Sequence, residues 1–194
     1  MHGVHLTFFS PRLGNLDYYG FVRSVVQIFA IQGPLPEDIR QWLELINEGV
    51  NGNEYLIRYS TALMEPRQAF GFVMAARDTL ERIRAHPSTS RLYHMLIAMN
   101  PELLNWTLRL CTNMLLAKAQ LYQDPRPNMQ IVLDPTLRGA LGLWRNARHH
   151  PAKMFLEFMI LIIEDDFPGA IQRLQRSFFR AGLLGEFNLP ATMG

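Results

Sequence analysis

Cysteine is all but missing from this chain, which carries one, Cys111. An intramolecular disulfide is therefore excluded, and so is any zinc site built on several thiolates. The setting of that cysteine, WTLRLCTNMLL, is an apolar helical stripe in which a free thiol serves as a small hydrophobe. Lysine is nearly as scarce, with two residues against seventeen arginines. Charge of one sign is lacking too: the formal net charge is +2, so nothing global demands a polyanionic partner. The longest apolar run, MFLEFMILII at 154–163, is interrupted by Glu157 and reaches about half the length of a membrane-spanning helix. MHGVHLTFF lacks a basic start, a long apolar region and a small-residue cleavage pattern, so no secretory leader is expected.

Catalytic signatures are equally absent. There is no glycine-rich phosphate loop, no GxSxG and no HExxH,. His149 and His150 are adjacent and point in different directions from any regular backbone, so no metal is expected there. Glu164-Asp165-Asp166 reads as a cap for a helix starting near Pro168, because catalytic carboxylates usually converge from separate elements. The expectation is a protein without enzymatic activity and without a cofactor.

What is present is a helical pattern. Hydrophobic residues make up 48% and charged residues 19% of 194, enough to bury a core without staples. Proline recurs where a helix would begin and its missing N–H costs nothing. In PEDIRQWLELINEG, Ile39, Trp42, Leu43 and Ile46 keep helical spacing, Glu37 and Asp38 suit the positive end, and Gly49 can close the helix. Asn100-Pro101, Asp134-Pro135, Pro66, Pro151 and Pro168 repeat the device. The reading is all-α, with about nine helices near 17–31, 36–48, 53–63, 66–86, 89–99, 101–121, 135–148, 151–164 and 167–180. No segment alternates as a strand does. The helices divide at the turn-rich RAHPSTS, 84–90, into two packed subdomains, 17–86 and 87–181, with an N-terminal arm at 1–16 and a tail at 182–194. A long connection at 122–134 is suited to contacts. Met74, Met95, Met99 and Met114 fall at expected core positions.

The arginine bias favours polar interfaces and phosphate contacts, because guanidinium forks onto oxyanions and keeps its charge. Its densest expression is LWRNARHHPAK, 143–153. At about 100° per residue, Leu137, Ala140, Trp144 and Ala147 form one stripe, which makes Trp144 a core anchor. Arg138, Arg145 and His149 fall together on the opposite side, with Gly142 beside them and Arg148 at the border. Two readings stand open: an ordinary solvated face, or an anion-contact ridge of Arg138, Arg145, Arg148, His149 and Lys153. Each cation near an anionic membrane contributes about 1 kcal/mol, so such a ridge grips weakly as a monomer and effectively only as a repeated unit.

GPLPEDIRQWLELINEG, 33–49, resembles the start of the matrix protein of influenza viruses, through Gly33, Pro34, Leu35, Asp38, Ile39, Gln41, Leu43, Glu44 and Gly49. Gly71-Phe72-Val73 is similar to a glycine-phenylalanine-valine in that family's fourth helix. The resemblance spans about residues 17–75 and identifies the chain as a distant member of the orthomyxovirus matrix family. Residues 134–153 also resemble the family's basic helix, although Asn146 and Ala147 stand where two further cations occur. Helix order would instead place that basic helix at 101–121, where Arg109 and Lys118 are available. The family's cysteine–histidine cluster is absent.

The resemblance implies a shell protein beneath a virion envelope and in the host cytoplasm, with nuclear entry left open. Its implied partners are anionic lipid, viral ribonucleoprotein or RNA through weak non-specific contacts, and other copies of itself. Two other functions stay in view. One is an RNA-binding nucleocapsid-type protein, which needs a continuous basic groove and fits poorly with the low net charge. The other is a helical adaptor holding a partner helix in a methionine-rich groove. Acid below about pH 6 would add charge at His149 and His150 beside Arg145 and Arg148. An assembly packed through this ridge should therefore sediment as smaller particles at about pH 5 than at about pH 7.5; equal sizes would remove the histidines from its control.

Overall fold

A computed structural model describes residues 11–120, 133–149 and 156–189. Among them are nine α-helices, five short 3-10 turns and no strand, so the chain is all-α. The α-helices are α1 (Pro11–Gln32), α2 (Glu37–Asn47), α3 (Glu54–Arg58), α4 (Pro66–Ala85), α5 (Ser90–Ala98), α6 (Met114–Gln120), α7 (Leu137–His149), α8 (Leu156–Asp166) and α9 (Ala170–Arg180).

Helix α4 is the axis of the body. Pro66 opens it, and Gln68 reaches back to accept the Glu65 N–H at 2.9 Å, satisfying one of the free donors of a helix start,. Ala69, Phe70, Val73, Ala76, Leu80 and Ile83 are buried along it, with α5, α7, α8 and α9 packed around them. One core cluster runs from Leu45 to Leu189. The turn at 84–90 is present, as a 3-10 turn at Pro87–Thr89 in which Thr89 Oγ1 donates to His86 O at 2.9 Å. It does not divide the core, since residues from both sides of it share that cluster. The separation falls elsewhere: α1 packs on α2 through a small cluster of its own, Val22, Leu43 and Ile46 with Val25, Ile39 and Trp42.

Two of the expected helices are broken, each for a local reason. The one placed at 101–121 is a 3-10 turn at Pro101–Leu103, a second at Trp106–Thr112, and then α6. Asn105 interrupts it with φ 55°, a left-handed conformation that asparagine tolerates,, and donates its N–H to Pro135 O at 2.9 Å. Trp106, fully buried, donates Nε1–H to Asp134 O at 2.8 Å. The helix expected at 53–63 stops at Arg58 because α9 takes over the next backbone groups. Gln175 Nε2 donates to Tyr59 O at 2.6 Å, and Gln175 Oε1 accepts the Thr61 N–H at 2.9 Å. Gln172 Oε1 accepts from Ser60 Oγ at 3.0 Å and Thr61 Oγ1 at 2.7 Å. Of the four methionines expected inside, Met95 and Met114 are exposed and Met74 and Met99 half-buried.

Because Gln175 is fully buried, Gln175→Leu should leave the Tyr59 carbonyl and the Thr61 N–H without partners in the interior. The expected loss is about 2–4 kcal/mol, read from urea unfolding followed by far-UV circular dichroism.

Candidate functional site

Helix α7, expected to lie half in solvent, is buried on nearly every side. Leu137, Ala140, Leu141, Leu143, Trp144 and Ala147 are in the core, as the stripe implied, but Gly139, Gly142 and Asn146 are buried as well. A Cβ on Gly139 would lie 1.7 Å from Asp134 O, and one on Gly142 would lie 2.9 Å from Leu133 Cδ2. The lead-in chain thus crosses the helix on the side where a phosphate was expected to approach. Gly142 belongs to a packing contact, and the open ridge is lost along the first half of the helix.

Arg138 is turned onto carboxylates. Its Nε donates to Glu81 Oε1 at 2.7 Å and its Nη1 to Asp134 Oδ2 at 2.9 Å. Asp134 also accepts the N–H groups of Thr136 and Gly139, both at 3.2 Å, which caps α7,. Burial would push the Asp134 carboxyl up, but the bonds from Thr136 and Arg138 outweigh it and hold it below its ordinary value,. Arg138 is therefore corrected from a ridge cation to the centre of a structural ion triad.

Arg145 and Arg148 remain. Both are exposed, one turn apart at the C-terminal end of α7, where positive charge complements the helix dipole. The Arg148 guanidinium lies over the Phe70 ring of α4, 5.5 Å from its centre,. No carboxylate among the described residues pairs with either. The side chain of His149 lies outside the described residues, as do all of His150 and Lys153.

Several other arginines pair with carboxylates as Arg138 does. Arg40 pairs with Glu37 and Glu44, Arg77 with Asp78, Arg82 with Glu186, Arg84 with Glu81, Arg173 with Glu102 and Arg176 with Glu48. Arg109 donates to Asp166 O at 2.6 Å and lies over Phe167. Of these pairs, Arg82–Glu186, Arg173–Glu102 and Arg176–Glu48 tie separate segments together, while those of Arg40, Arg77 and Arg84 lie within single helices.

The residues of the 33–49 frame form the α1–α2 corner. Gly33 has φ 136° and donates its N–H to Phe29 O at 3.0 Å, closing α1, while Gly49, at φ 116°, ends α2. Both conformations are open to glycine and strained for other residues. Pro34 leads out of the turn, and Leu35, Ile39 and Leu43 pack toward α1.

A second constellation, not anticipated from sequence, joins α2 to the α8–α9 corner. Glu164 caps the lead-in to α9 by accepting the Gly169 N–H at 2.8 Å, in line with the capping role expected of the acidic cluster. Gly169 has φ 68°, and a Cβ there would meet Gln41 Nε2 at 2.3 Å. Burial, aided by the charges of Asp38 and Glu37 of α2, raises the Glu164 carboxyl to about 7 against the opposing Gly169 N–H and Arg173 of α9,. A cavity of about 250 Å3 lies nearby, walled by Glu37, Arg40, Glu44, Gln172, Arg173 and Arg176. Arg40 is paired with Glu37 and Glu44 of the wall, Arg173 and Arg176 pair with Glu102 and Glu48 outside it, and Glu164 is not part of the wall. A more apolar groove of about 370 Å3 runs along Arg67, Gly71, Phe72, Ala75 and Phe187.

Among the described residues no three metal-ligating side chains converge, and no helix is long and apolar enough to cross a membrane. Neither family models, nor curated proteins, nor solved structures yield a match to this chain.

Glu164 makes stability depend on pH. Its pKa is about 7 when folded against 4.5 for an ordinary glutamate, so its contribution is fully present below about pH 4.5 and is lost as pH rises through about 7. Asp38, also raised by burial, acts in the same direction. Glu37 and Asp134 are lowered, and their contributions are lost only on strong acidification. Denaturant midpoints should therefore fall between about pH 5 and pH 8 in the native chain, and Glu164→Gln should flatten that slope. A slope unchanged in the variant would place the titration elsewhere.

Proposed function

We propose that the chain is a structural protein of the matrix type, which lines an anionic membrane from within a virion and assembles side by side with copies of itself. The observation that carries this reading is the exposed pair Arg145 and Arg148, held one turn apart at the end of a buried helix with no carboxylate partner among the described residues. Helix α7 is anchored by Trp144 and Leu141, both fully buried, so the pair is presented on a rigid support. Long arginine side chains reach a headgroup layer while their stems stay on protein, as Arg148 does over Phe70,.

Magnitude supports a repeated unit over a monomeric binder. Each cation near an anionic surface contributes about 1 kcal/mol, and the attraction decays within a Debye length. Two such groups per subunit hold a single copy only transiently, while many copies in one layer hold firmly without any new contact. Ribonucleoprotein contact belongs to the same reading as a weak, non-specific interaction on the face turned from the membrane.

Cosedimentation with vesicles containing phosphatidylserine tests the proposal. Binding should fall with rising salt, and the double variant Arg145→Ala, Arg148→Ala should bind about tenfold less or weaker still. Arg138→Ala should lower stability but leave vesicle binding of the folded protein unchanged. Equal binding by the double variant and the native chain would overturn the membrane assignment.

A further inference from the structure

Helix α9 brings Gln172, Arg173 and Arg176 to the cavity of about 250 Å3 that it shares with α2. Gln172 is 5% exposed, and its partners fix which way its amide points. Oε1 accepts from the Ser60 and Thr61 hydroxyls, and a reversed amide would take from both hydroxyl protons the acceptor they have. The Nε2 group is therefore turned away from Ser60 and Thr61, neither of which reaches the cavity wall. It donates to no described residue, so a buried amide offers the cavity two unused N–H groups. Arg176 beside it uses only an Nη2 N–H, on Glu48. Arg173 leaves Nη1 at 4.0 Å from Glu37, beyond a hydrogen bond,.

The wall opposite is acidic. Glu37 and Glu44 of α2 hold Arg40 between them, and the Arg40 bond keeps the Glu37 carboxyl below its ordinary value, hence charged at neutral pH,. Glu44 gives Arg40 only its Oε1, which leaves Oε2 as an acceptor. Leu45 and Leu56, both 2% exposed, supply an apolar floor.

We propose that this cavity binds a free α-amino acid with an aliphatic side chain. Its carboxylate lies on Gln172 Nε2 and Arg176, its ammonium on Glu44, and its side chain on Leu45 and Leu56. The proposal stands apart from the membrane reading, which rests on α7. Charge selects a zwitterion over a simple ion. A phosphate would find every guanidinium of the wall already answered by a carboxylate, since Arg40, Arg173 and Arg176 are paired with Glu37, Glu44, Glu102 and Glu48. A metal cation would be repelled by the three arginines. A ligand carrying both signs adds no net charge, and each of its ends makes the stronger, charge-assisted kind of hydrogen bond. The volume of about 250 Å3 falls below that of sites for drug-sized ligands and suits a single amino acid.

Equilibrium dialysis of the full chain against radiolabelled L-leucine tests the assignment. Leucine should bind at one site with a dissociation constant below about a millimolar. N-acetyl-leucine, which lacks the ammonium, and leucinamide, which lacks the carboxylate, should each compete about tenfold more weakly or worse. Glu44→Gln, at a half-exposed position, should abolish the preference for leucine over N-acetyl-leucine while native helicity is kept. Gln172→Glu keeps the acceptor for Ser60 and Thr61 but sets a carboxylate against the ligand, and should weaken leucine binding about tenfold or more. Arg145→Ala with Arg148→Ala should bind leucine as the native chain does. The site is overturned by a native chain that does not retain leucine, by equal competition from all three compounds, or by a preference that survives Glu44→Gln. Displacement of leucine by inorganic phosphate, undiminished binding in a natively helical Gln172→Glu chain, or loss of binding in the α7 double variant would overturn it as well. A chain that binds leucine yet ignores phosphatidylserine vesicles would support the cavity site and sink the membrane reading instead.

Discussion

The structure depends on placing α7 inside the protein rather than on its surface. A helix with three arginines can be enclosed only if its neighbours come close on the sides without side chains and if each buried cation is answered. Gly139 and Gly142 meet the first need, since the chain at Leu133 and Asp134 lies where their Cβ atoms would be. Arg138 meets the second by lying between Glu81 of α4 and Asp134 of its own cap. Removing one member would leave a partly buried charge unanswered, which costs more than the pair itself contributes. Trp106 and Asn105 bind the same lead-in through Asp134 O and Pro135 O, so this one junction fixes α7, the 3-10 segment and α4 together.

That constraint redistributes the arginines. Part of a composition that suggests phosphate recognition goes instead into ties between separate segments: Arg138 to α4, Arg173 to Glu102, Arg176 to Glu48 and Arg82 to Glu186. What stays available is local, at the end of α7. In the proposed reading, anion binding by one subunit is modest and a membrane role rests on repetition. Helix α1 is docked on α2 by a small cluster and leaves Leu16, Ile28 and Ile31 exposed.

The α2–α8–α9 corner behaves differently. It is the place where α2, which carries α1, meets the main body, and it holds carboxylates on both sides of the contact. Glu164 is the one whose burial matters most near neutral pH. A charge there is opposed by Asp38 and Glu37 and only partly relieved by Arg173, so the attachment of the outer pair of helices is coupled to protonation through ordinary electrostatics.

Much of the architecture was legible from local pattern alone. Helical periodicity, proline at helix starts and the absence of alternation are properties of neighbouring residues, and they mark nine helical segments and Trp144 as a core anchor whatever the rest of the chain does. Capping is legible for the same reason, as with Glu164, which acts on a backbone group five residues away. The state of Arg138 was not legible, because its partner Glu81 lies 57 positions distant, and a helical wheel holds no information about what packs on its far side. Nor could periodicity reveal that the glycines of α7 are crossed by chain, that Gln172 and Gln175 end α3 from across the core, or that Glu164 sits beside two other carboxylates. Local spacing sets which residues share a helix face, whereas burial and charge depend on which faces meet, and that is decided only when distant segments compete for the same interior.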